Sequence, residues 1–369
     1  MEDNVVQKAE ADSEVEAAQA EEEAVQVEAA IQKVYITRRS VESSGLELLK
    51  FYCEVTSWSQ DEPVPRDVLL QEVQGVNAIY CTVRDRIDAE VIEQAGPNLK
   101  CICTISAGYD HIDVEECHKR GIRIGYTPDV VTDAAAELTV ALLLATTRRL
   151  FEANRAVYEG TWRPWTYDWM SGQGLKDSRI GIFGFGRIGQ EVAARLKPFK
   201  PSLITYTTRT MRLIKIDEVV PVTFNELLSD SDFIIVCCPL TPQTKGIFNA
   251  NAFRRMKPNA VFINTARGGI VNQADLYVAL KTKRIRAAGI DVTTPEPLPP
   301  DNPLLTLDNL IILPHIGGAE SKTRKEMSRI TVQNILGGLQ DGFMVSELVM
   351  RTPRNSHIGV ESITKVEEE

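Results

Sequence analysis

The stretch Arg179-Ile180-Gly181-Ile182-Phe183-Gly184-Phe185-Gly186-Arg187-Ile188-Gly189 joins a short apolar run to three glycines spaced G-x-G-x-x-G. The run has the length of a buried strand, and helical spacing continues after it as far as Pro198. In such a strand–turn–helix unit the first glycine allows a tight turn, the second lets the backbone approach a pyrophosphate, and the third lets the helix pack on the strand. Phosphates then bind free N–H groups at the positive end of the helix. The stretch therefore predicts a dinucleotide site, and a purely structural glycine turn is the alternative.

The composition is that of a soluble globular protein. The chain has 369 residues, of which 43% are hydrophobic and 25% charged, and this length suggests about two to three domains. No apolar run approaches the ~18 residues that span a bilayer. Residues 1–30 carry ten acids and one lysine, so they hold −9 of the net charge of −10 and the rest is close to neutral. The body of the protein has no global field to attract nucleic acid or anionic membranes, and we expect neither as a partner.

Two further features bear on the compartment. Residues 1–32 form an acidic tail without glycine, proline or aromatic residues, which predicts disorder or a solvated helix. The tail also lacks the basic start and apolar stretch of a signal peptide. The seven cysteines are odd in number and include no C-x-x-C pair, which predicts buried, reduced thiols and no metal site. We therefore expect a cytoplasmic protein.

Strand-like apolar runs alternate with helical segments in two series along the chain. The first series begins at Val34 and the second begins at the glycine stretch, which predicts parallel sheets covered by helices. Between them, Asp133 to about Tyr158 is predicted to be one long buried helix. The tryptophan-rich stretch 161–169 comes next, and we expect an arm that packs against a second copy of the chain. A last helix is predicted over Ser321 to Leu339.

Chemically useful side chains come directly after the later strands. Arg267 is close behind the run ending at Asn264, Glu296 comes after the next strand, and His315 comes after the last one. Ligands bind outside the carboxyl ends of parallel strands, so these side chains should meet at one edge. A cation to bind an acid substrate, a proton donor and a carboxylate to tune that donor are what a hydride-transfer site needs. Each residue taken alone is more often structural than catalytic.

The residues just beyond the second strand of this unit bear on the choice of dinucleotide. An NAD-binding unit usually has Asp or Glu roughly 20 residues past the glycines, where it binds the ribose hydroxyls. Here the next acid is Asp217, and Arg209 stands instead among Thr207, Thr208 and Thr210. A cation among hydroxyl groups suits a 2′-phosphate. The sequence therefore favours NADPH, with NADH possible; a solvated surface charge is the alternative for Arg209.

Four motifs occur in a fixed order: G-F-G-R-I-G at 184–189, N-T-A-R-G at 264–268, D-V-T-T-P-E-P at 291–297 and L-P-H-I-G at 313–317. This series resembles the D-isomer-specific 2-hydroxyacid dehydrogenases, and the likeness extends from about Val34 to Leu348. Within the family it is nearest to the glyoxylate and hydroxypyruvate reductases of animals.

The resemblance implies an α/β fold with two doubly wound parallel-sheet domains. A Rossmann cofactor domain, 132–315, would be inserted into a flavodoxin-like substrate domain made of 33–131 and 316–350. The acidic tail 1–32 and a C-terminal tail 351–369 would flank them.

The resemblance also implies roles for individual residues. Arg267 would bind the substrate carboxylate and carbonyl, His315 would be the acid/base, and Glu296 would pair with it. Ala107 and Gly108 would offer backbone N–H groups to the substrate. Trp165 would reach into the active site of a homodimer partner. Asp291 would bind the nicotinamide amide, and the implied cofactor-binding residues are Gly184, Phe185, Gly186, Arg187, Ile188, Gly189, Thr208, Arg209, Thr210, Pro239, Thr265, Asp291 and Gly317.

The implied reaction is hydride transfer from NADPH to a 2-oxo acid, glyoxylate or hydroxypyruvate, with His315 donating the proton to give a D-2-hydroxy acid. Arg84 would add a cation to the site if it faces the cleft. One alternative is another enzyme of the family, of phosphoglycerate, formate or lactate type. A second is a corepressor-like protein that senses the dinucleotide; the missing ribose aspartate and the tryptophan-rich arm argue against it.

Overall fold

A computed structural model describes residues 31–209 and 219–349 of the chain. Thr210, residues 1–30 of the predicted acidic tail and the predicted tail 351–369 lie outside this part. The described residues form two all-parallel β-sheets, each covered by helices. The predicted fold class is confirmed.

The first sheet has five strands in the order β2-β1-β3-β4-β5, which is the flavodoxin-like order. Its strands are β1 (Lys33–Ile36), β2 (Glu54–Ser57), β3 (Ala78–Cys81), β4 (Cys101–Thr104) and β5 (Arg123–Gly125). The helices between them are α1 (Ser43–Tyr52), α2 (Arg66–Glu72), α3 (Ala89–Ala95) and α4 (Val114–Lys119). The central strands β3 and β4 are buried on both faces. That burial is why each of them is an apolar run rather than an alternating pattern.

The second sheet has seven strands in the order β12-β11-β10-β9-β6-β7-β8. Its strands are β6 (Arg179–Phe183), β7 (Leu203–Thr207), β8 (Val219–Pro221), β9 (Phe233–Val236), β10 (Val261–Asn264), β11 (Ala287–Ile290) and β12 (Leu310–Ile312). Counted from β6, this is the Rossmann order with one strand added, and the order reverses between β6 and β9. The covering helices are α7 (Arg187–Leu196), α8 (Phe224–Asp230), α9 (Ala250–Arg255) and α10 (Gln273–Lys281), and short 3₁₀ turns occur at Asp129–Val131, Lys197–Phe199, Gly268–Ile270 and Pro303–Thr306.

The helix predicted from Asp133 to Tyr158 is in fact two helices, α5 (Thr132–Thr147) and α6 (Leu150–Tyr158). The helical conformation is interrupted at Arg149, whose φ of 55° lies in the left-handed region. Arg149 then donates from Nε and Nη2 to the carboxylate of Glu152 in the first turn of α6. The break lets α5 stay in the core while α6 turns onto the surface, so the prediction of one helix is wrong.

The segment Asp129–Thr147, which includes α5, is long and apolar enough by length and composition to cross a membrane, and 56% of it is buried inside the protein. The absence of any apolar run near ~18 residues predicts no segment of this kind, and Asp133 and Glu137 do interrupt the apolar residues here. The segment packs against α7 and against strands of the second sheet. The core helix of a globular protein has the same composition, because it is apolar on nearly all sides.

The last helix, α11 (Ser321–Leu339), returns to the first sheet. Its Val332, Ile335 and Leu339 share a core with Val34 and Cys101. Beyond it, Glu347 forms an antiparallel bridge with Gly125 at the edge strand β5. The first sheet is therefore covered by residues from both ends of the described chain, while the domain boundaries at 131/132 and 315/316 stay a prediction.

The seven cysteines are all free; Cys237 is partly exposed and the other six are buried. Their thiols therefore have the burial predicted from the sequence. Among residues 31–209 and 219–349, no group of three or more His, Cys, Asp or Glu side chains could bind a metal ion.

Candidate active site

The three glycines of the turn after β6 differ in their surroundings. Gly184 has a φ of 96°, and a Cβ there would come within 2.6 Å of the backbone nitrogen of Cys238. A Cβ on Gly189 would lie 2.3 Å from the carbonyl oxygen of Gly184, because helix and strand pack closely there. A Cβ on Gly186 would meet no atom of the described residues within 4 Å. The first and third glycines thus serve the fold, and the second leaves open space for a ligand to approach the backbone.

The start of α7 offers N–H groups to that open space. Gly186 is the N-cap residue, and within the described part of the chain no side chain caps the helix. Arg187 is exposed and forms an ion pair with Asp129. Phe185 is buried and stacks on Tyr206, with ring centroids 4.1 Å apart, so only its backbone could contact a cofactor. Ile188 is partly buried on the same turn.

Arg209 is exposed just beyond the end of β7, next to Thr208. Burial raises the pKa of Tyr109, and the charge of Arg209 opposes that rise. Tyr109 belongs to the loop after β4, so the Arg209 charge acts across the gap between the two sheets. Arg209 stands just past the end of β7, the place where a residue that binds the ribose of a dinucleotide is expected.

The strands that carry the catalytic candidates end level with one another. In the sheet register Asn264 pairs with Ile290, and Ile290 pairs with Ile312. Arg267 and His315 each stand three residues beyond one of these strand ends. A Cβ on Gly268 would lie 2.1 Å from the carbonyl oxygen of Thr293, so the turn at Arg267 packs directly on the loop that leads to Glu296. The structure thus brings together the three residues that the sequence predicted to form the site.

His315 and Glu296 form a hydrogen-bonded pair. Nδ1 of His315 lies 2.8 Å from Oε2 of Glu296, and Oε1 of Glu296 accepts from the N–H of Thr293 at 3.0 Å. Burial by itself would raise the pKa of Glu296, but the hydrogen bond and charge of His315, the Thr293 N–H and the charge of Arg84 together lower it. Glu296 is thus a carboxylate that accepts from Nδ1–H and leaves Nε2 of His315 for a substrate. Arg84 acts on this pair from the end of β3.

Asp291 supports the turn on which His315 is placed. His315 has a φ of 58°, a strained conformation for a residue with a side chain. The two carboxylate oxygens of Asp291 accept from the N–H groups of Ile316 and Gly317, each at 2.8 Å. Burial raises the pKa of Asp291, although these two N–H groups and the charge of His315 oppose the rise. In this structure its oxygens stabilise the His315 turn, and its contact with a nicotinamide amide stays a prediction.

The remaining predicted residues lie around this centre. The Thr265 hydroxyl lies 2.6 Å from the Thr139 hydroxyl, a contact that joins its turn to α5. Pro239 is exposed, and its carbonyl accepts from Thr244. Ala107 and Gly108 lie in the loop after β4, where a Cβ on Gly108 would come within 1.9 Å of Nη2 of Arg267. Trp165 is 85% exposed on the arm.

Two residues of the site, Asp110 and His111, were not predicted from the sequence. Asp110 forms an ion pair with Arg267, with Oδ1 and Nε 3.0 Å apart. His111 is largely buried, and its Nε2 lies 2.9 Å from the hydroxyl of Thr104. The available signal was their place directly after β4, at the carboxyl edge of the first sheet, where strand ends carry functional side chains as they do in the second sheet.

The acid stability of the protein should depend on His111. Burial lowers its pKa to about 4, with the charge of Arg267 acting in the same direction and those of Asp110 and Asp85 opposing it. Between the pKa of an unfolded histidine, about 6.5, and that value, only the unfolded state binds the proton. Stability should therefore fall as the pH drops from about 6.5 to about 4, by about 3 kcal/mol in total.

Urea unfolding between pH 7 and pH 4 measures this dependence. His111→Gln should show a shallower fall in the free energy of unfolding than the wild type. His118→Gln, which removes an exposed histidine of α4, is the matched control. A His111→Gln profile parallel to the wild-type profile would contradict the assignment.

Known proteins share both sequence and family motifs with this chain. Residues 140–317 match the family described as D-isomer specific 2-hydroxyacid dehydrogenase, NAD binding domain. The chain is 51% identical over 300 residues to a glyoxylate reductase/hydroxypyruvate reductase of Mus musculus. These aligned residues make up 80% of this chain and 91% of that protein.

Two crystal structures are similar over 86% of this chain. One is of a protein from Thermus thermophilus, with a TM-score of 0.80, 38% identity and 100% of that chain covered. The other is of an NADPH-dependent glyoxylate/hydroxypyruvate reductase from Sinorhizobium meliloti in complex with NADP and malonate, with a TM-score of 0.75, 29% identity and 97% of that chain covered.

Proposed function

This chain belongs to the D-isomer-specific 2-hydroxyacid dehydrogenase family, and from that membership we propose that it reduces small 2-oxo acids, glyoxylate and hydroxypyruvate, with NADPH as the hydride donor. The observation that carries the proposal is the placement of Arg267 beside the hydrogen-bonded pair of His315 and Glu296 at the carboxyl edge of the cofactor sheet. The Mus musculus relative has both substrates in its name.

The glycine loop fits a dinucleotide. The space beside Gly186 is open, and no described side chain caps the N-terminus of α7, so N–H groups of the first turn are available to a pyrophosphate. When bound, NADPH supplies the hydride that adds to the carbonyl carbon of the substrate. The residues of this chain bind the acid, orient its carbonyl and deliver the proton.

Arg267 binds the substrate carboxylate and polarises the carbonyl oxygen through its guanidinium N–H groups. As the carbonyl carbon gains hydride, negative charge grows on the carbonyl oxygen, and Nε2 of protonated His315 donates its proton there. Glu296 stabilises the imidazolium, since it accepts from Nδ1–H at 2.8 Å and remains ionised. The reaction would yield the 2-hydroxy acid and the oxidised dinucleotide and leave His315 neutral, and the imidazole would take a proton from solvent before the next turnover.

The 2′-phosphate of NADPH would bind near Arg209. The cation stands just past the end of β7 with Thr208 beside it, and its charge opposes the rise in the pKa of Tyr109 in the loop after β4. The S. meliloti reductase, similar in structure to this chain, is described as NADPH-dependent. We therefore extend the proposal to a preference for NADPH over NADH.

Oxidation of NADPH and NADH, measured at the absorbance of the reduced nicotinamide, tests both the proposed reduction of 2-oxo acids and the proposed preference for NADPH. We expect turnover of glyoxylate and hydroxypyruvate, with the higher kcat/KM for NADPH. Arg209→Ala should lower kcat/KM for NADPH by about tenfold or more and leave that for NADH nearly unchanged, because only the first cofactor carries the phosphate. Lys176→Ala, which removes an exposed cation close to Asp177, is the control.

The outcomes separate the alternatives. Equal losses with both cofactors would reject the role of Arg209. An absence of turnover by the wild type with either acid, together with NADPH binding, would favour the dinucleotide-sensing corepressor-like role. Turnover of a phosphorylated or lactate-type acid alone would indicate another enzyme of the family.

We also propose a homodimer. Helix α6 and the arm expose the apolar side chains Leu150, Phe151, Tyr158, Trp162 and Trp165, and contiguous exposed patches of this kind mark interaction sites. A second copy that covers this surface would bury these side chains, and the family likeness implies that Trp165 then reaches the partner's active site. Light scattering on the purified protein should give the mass of two chains, and a monomer at micromolar concentration would reject the proposal.

A further inference from the structure

Asp110 contacts the substrate-anchoring arginine from the opposite sheet. It comes after β4 in the first sheet, whereas Arg267 comes after β10 in the second, and 157 positions separate them in the chain. Oδ1 of Asp110 accepts from Nε of Arg267 at 3.0 Å, and the side chains are 29% and 21% exposed. We propose that Asp110 is a positioning residue, which fixes the plane of the Arg267 guanidinium for a 2-oxo acid. This inference rests on the proposed function.

The donors of Arg267 divide between the protein and a ligand. A guanidinium has five N–H groups in a rigid plane. Nε donates to Asp110, and Nη1 donates one hydrogen to the carbonyl of Ala266 at 2.9 Å. These acceptors come from different sheets and together fix the plane. The other N–H groups can serve a ligand, and Nη2 lies against the backbone of Gly108, which the resemblance assigns to substrate binding.

The backbone that follows Asp110 is fixed as well. The Ile87 N–H donates to the carbonyl of His111 at 2.9 Å, and the Asp113 N–H donates to the carbonyl of Ile87 at 2.8 Å. The imidazole of His111 is joined to Thr104 in β4. Asp110 therefore projects from a loop that is tied to the sheet, which makes it a firm anchor for a side chain on the other sheet.

The negative charge of Asp110 affects KM and kcat in different ways. A carboxylate next to Arg267 repels the carboxylate of an incoming substrate, so its presence does not raise affinity. Loss of Asp110 should therefore leave KM unchanged or lower it. The reaction should still slow, because an arginine free to rotate polarises the carbonyl less well. Loss of Asp110 should therefore lower kcat without raising KM.

The first measurement is the kinetics of Asp110→Ala and Asp110→Asn with hydroxypyruvate and NADPH. We expect Asp110→Ala to lower kcat by about tenfold or more without raising KM. Asp110→Asn, which keeps an acceptor oxygen but no charge, should recover most of the loss. Glu115→Ala removes an exposed carboxylate on α4 that pairs with Lys119 and should leave both constants unchanged.

A double-mutant cycle with Arg267→Lys is the second measurement. Lysine has no Nε–H in a planar fork, so Asp110→Ala should cost much less kcat in that background than in the wild type. Equal effects in both backgrounds, an unchanged kcat for Asp110→Ala, or an Asn variant as slow as the Ala variant would overturn the inference. A fall in thermal stability or NADPH affinity that accounts for the loss would also overturn it. Failure of the proposed function is distinguishable, since the wild type would then be inactive.

Discussion

His315→Ala is expected to lower kcat for the reduction of hydroxypyruvate by two or more orders of magnitude while NADPH still binds. General acid catalysis contributes about 10²–10⁴-fold, and the proposed mechanism assigns this role to His315, because Nδ1 is engaged by Glu296 and Nε2 is left for a substrate. The fold should tolerate the change, since Asp291 stabilises the turn through backbone N–H groups rather than through the imidazole. Steady-state kinetics together with NADPH fluorescence titration measure both effects. Normal turnover by the variant would refute the assignment.

Glu296→Gln is the companion variant. Oε2 of Glu296 lies 2.8 Å from Nδ1 of His315, and the charge of His315 helps to hold the pKa of Glu296 below its usual range. The amide of glutamine has no negative charge to stabilise a protonated imidazole, so kcat for the reduction should fall by about tenfold or more. Steady-state kinetics with hydroxypyruvate measure the fall, and an unchanged kcat would show that the carboxylate of Glu296 does not assist His315.

Arg267→Gln should lower kcat/KM for hydroxypyruvate by about 10³-fold, which corresponds to about 4 kcal/mol. Truncating one partner of a charge-assisted pair in a closed site costs about 2–5 kcal/mol, and here the substrate loses both its carboxylate partner and the group that polarises its carbonyl. The change also leaves Asp110 facing the substrate with no cation between them. We therefore expect the loss in both kcat and KM, in contrast to the variants of Asp110.

Arg255→Gln is the matched control for Arg267→Gln, because Arg255 is an exposed arginine in the last turn of α9 on the same sheet. Its kinetic constants should equal those of the wild type. An Arg267→Gln enzyme with unchanged KM would mean that another cation binds the substrate carboxylate. Arg84, whose charge reaches Glu296 from the end of β3, would be the first candidate.

Much of the fold could be predicted from the sequence because its signals are local. The central strands are apolar runs of four residues, α11 begins and ends where the pattern predicts, and the glycine spacing identifies the strand–turn–helix unit. The family likeness from four short motifs is confirmed by the comparison with known proteins. The edge strand β8 has only three residues and no apolar run, and it was missed.

The site candidates were also predictable, within limits. Parallel strands place their carboxyl ends at one edge, so Arg267, Glu296 and His315 could be grouped without coordinates. The helix break at Arg149 could not be predicted, because the apolar pattern continues through it and the change of direction depends on the surroundings of α5 and α6. The contact of Asp291 with the His315 turn could not be predicted either, since its two partners are backbone N–H groups about 25 residues further on.

The sequence by itself determined the two parallel sheets, the glycine turn and the set of side chains at the edge of the second sheet, because periodicity and strand ends are properties of neighbouring residues. Only the tertiary structure decided that Asp110 pairs with Arg267 and that the charges of Arg84 and Arg209 each act on a group carried by the other sheet. Those contacts join residues of one sheet to residues of the other. They depend on how the two sheets face each other, and that arrangement is set by packing along the whole chain rather than by any local pattern.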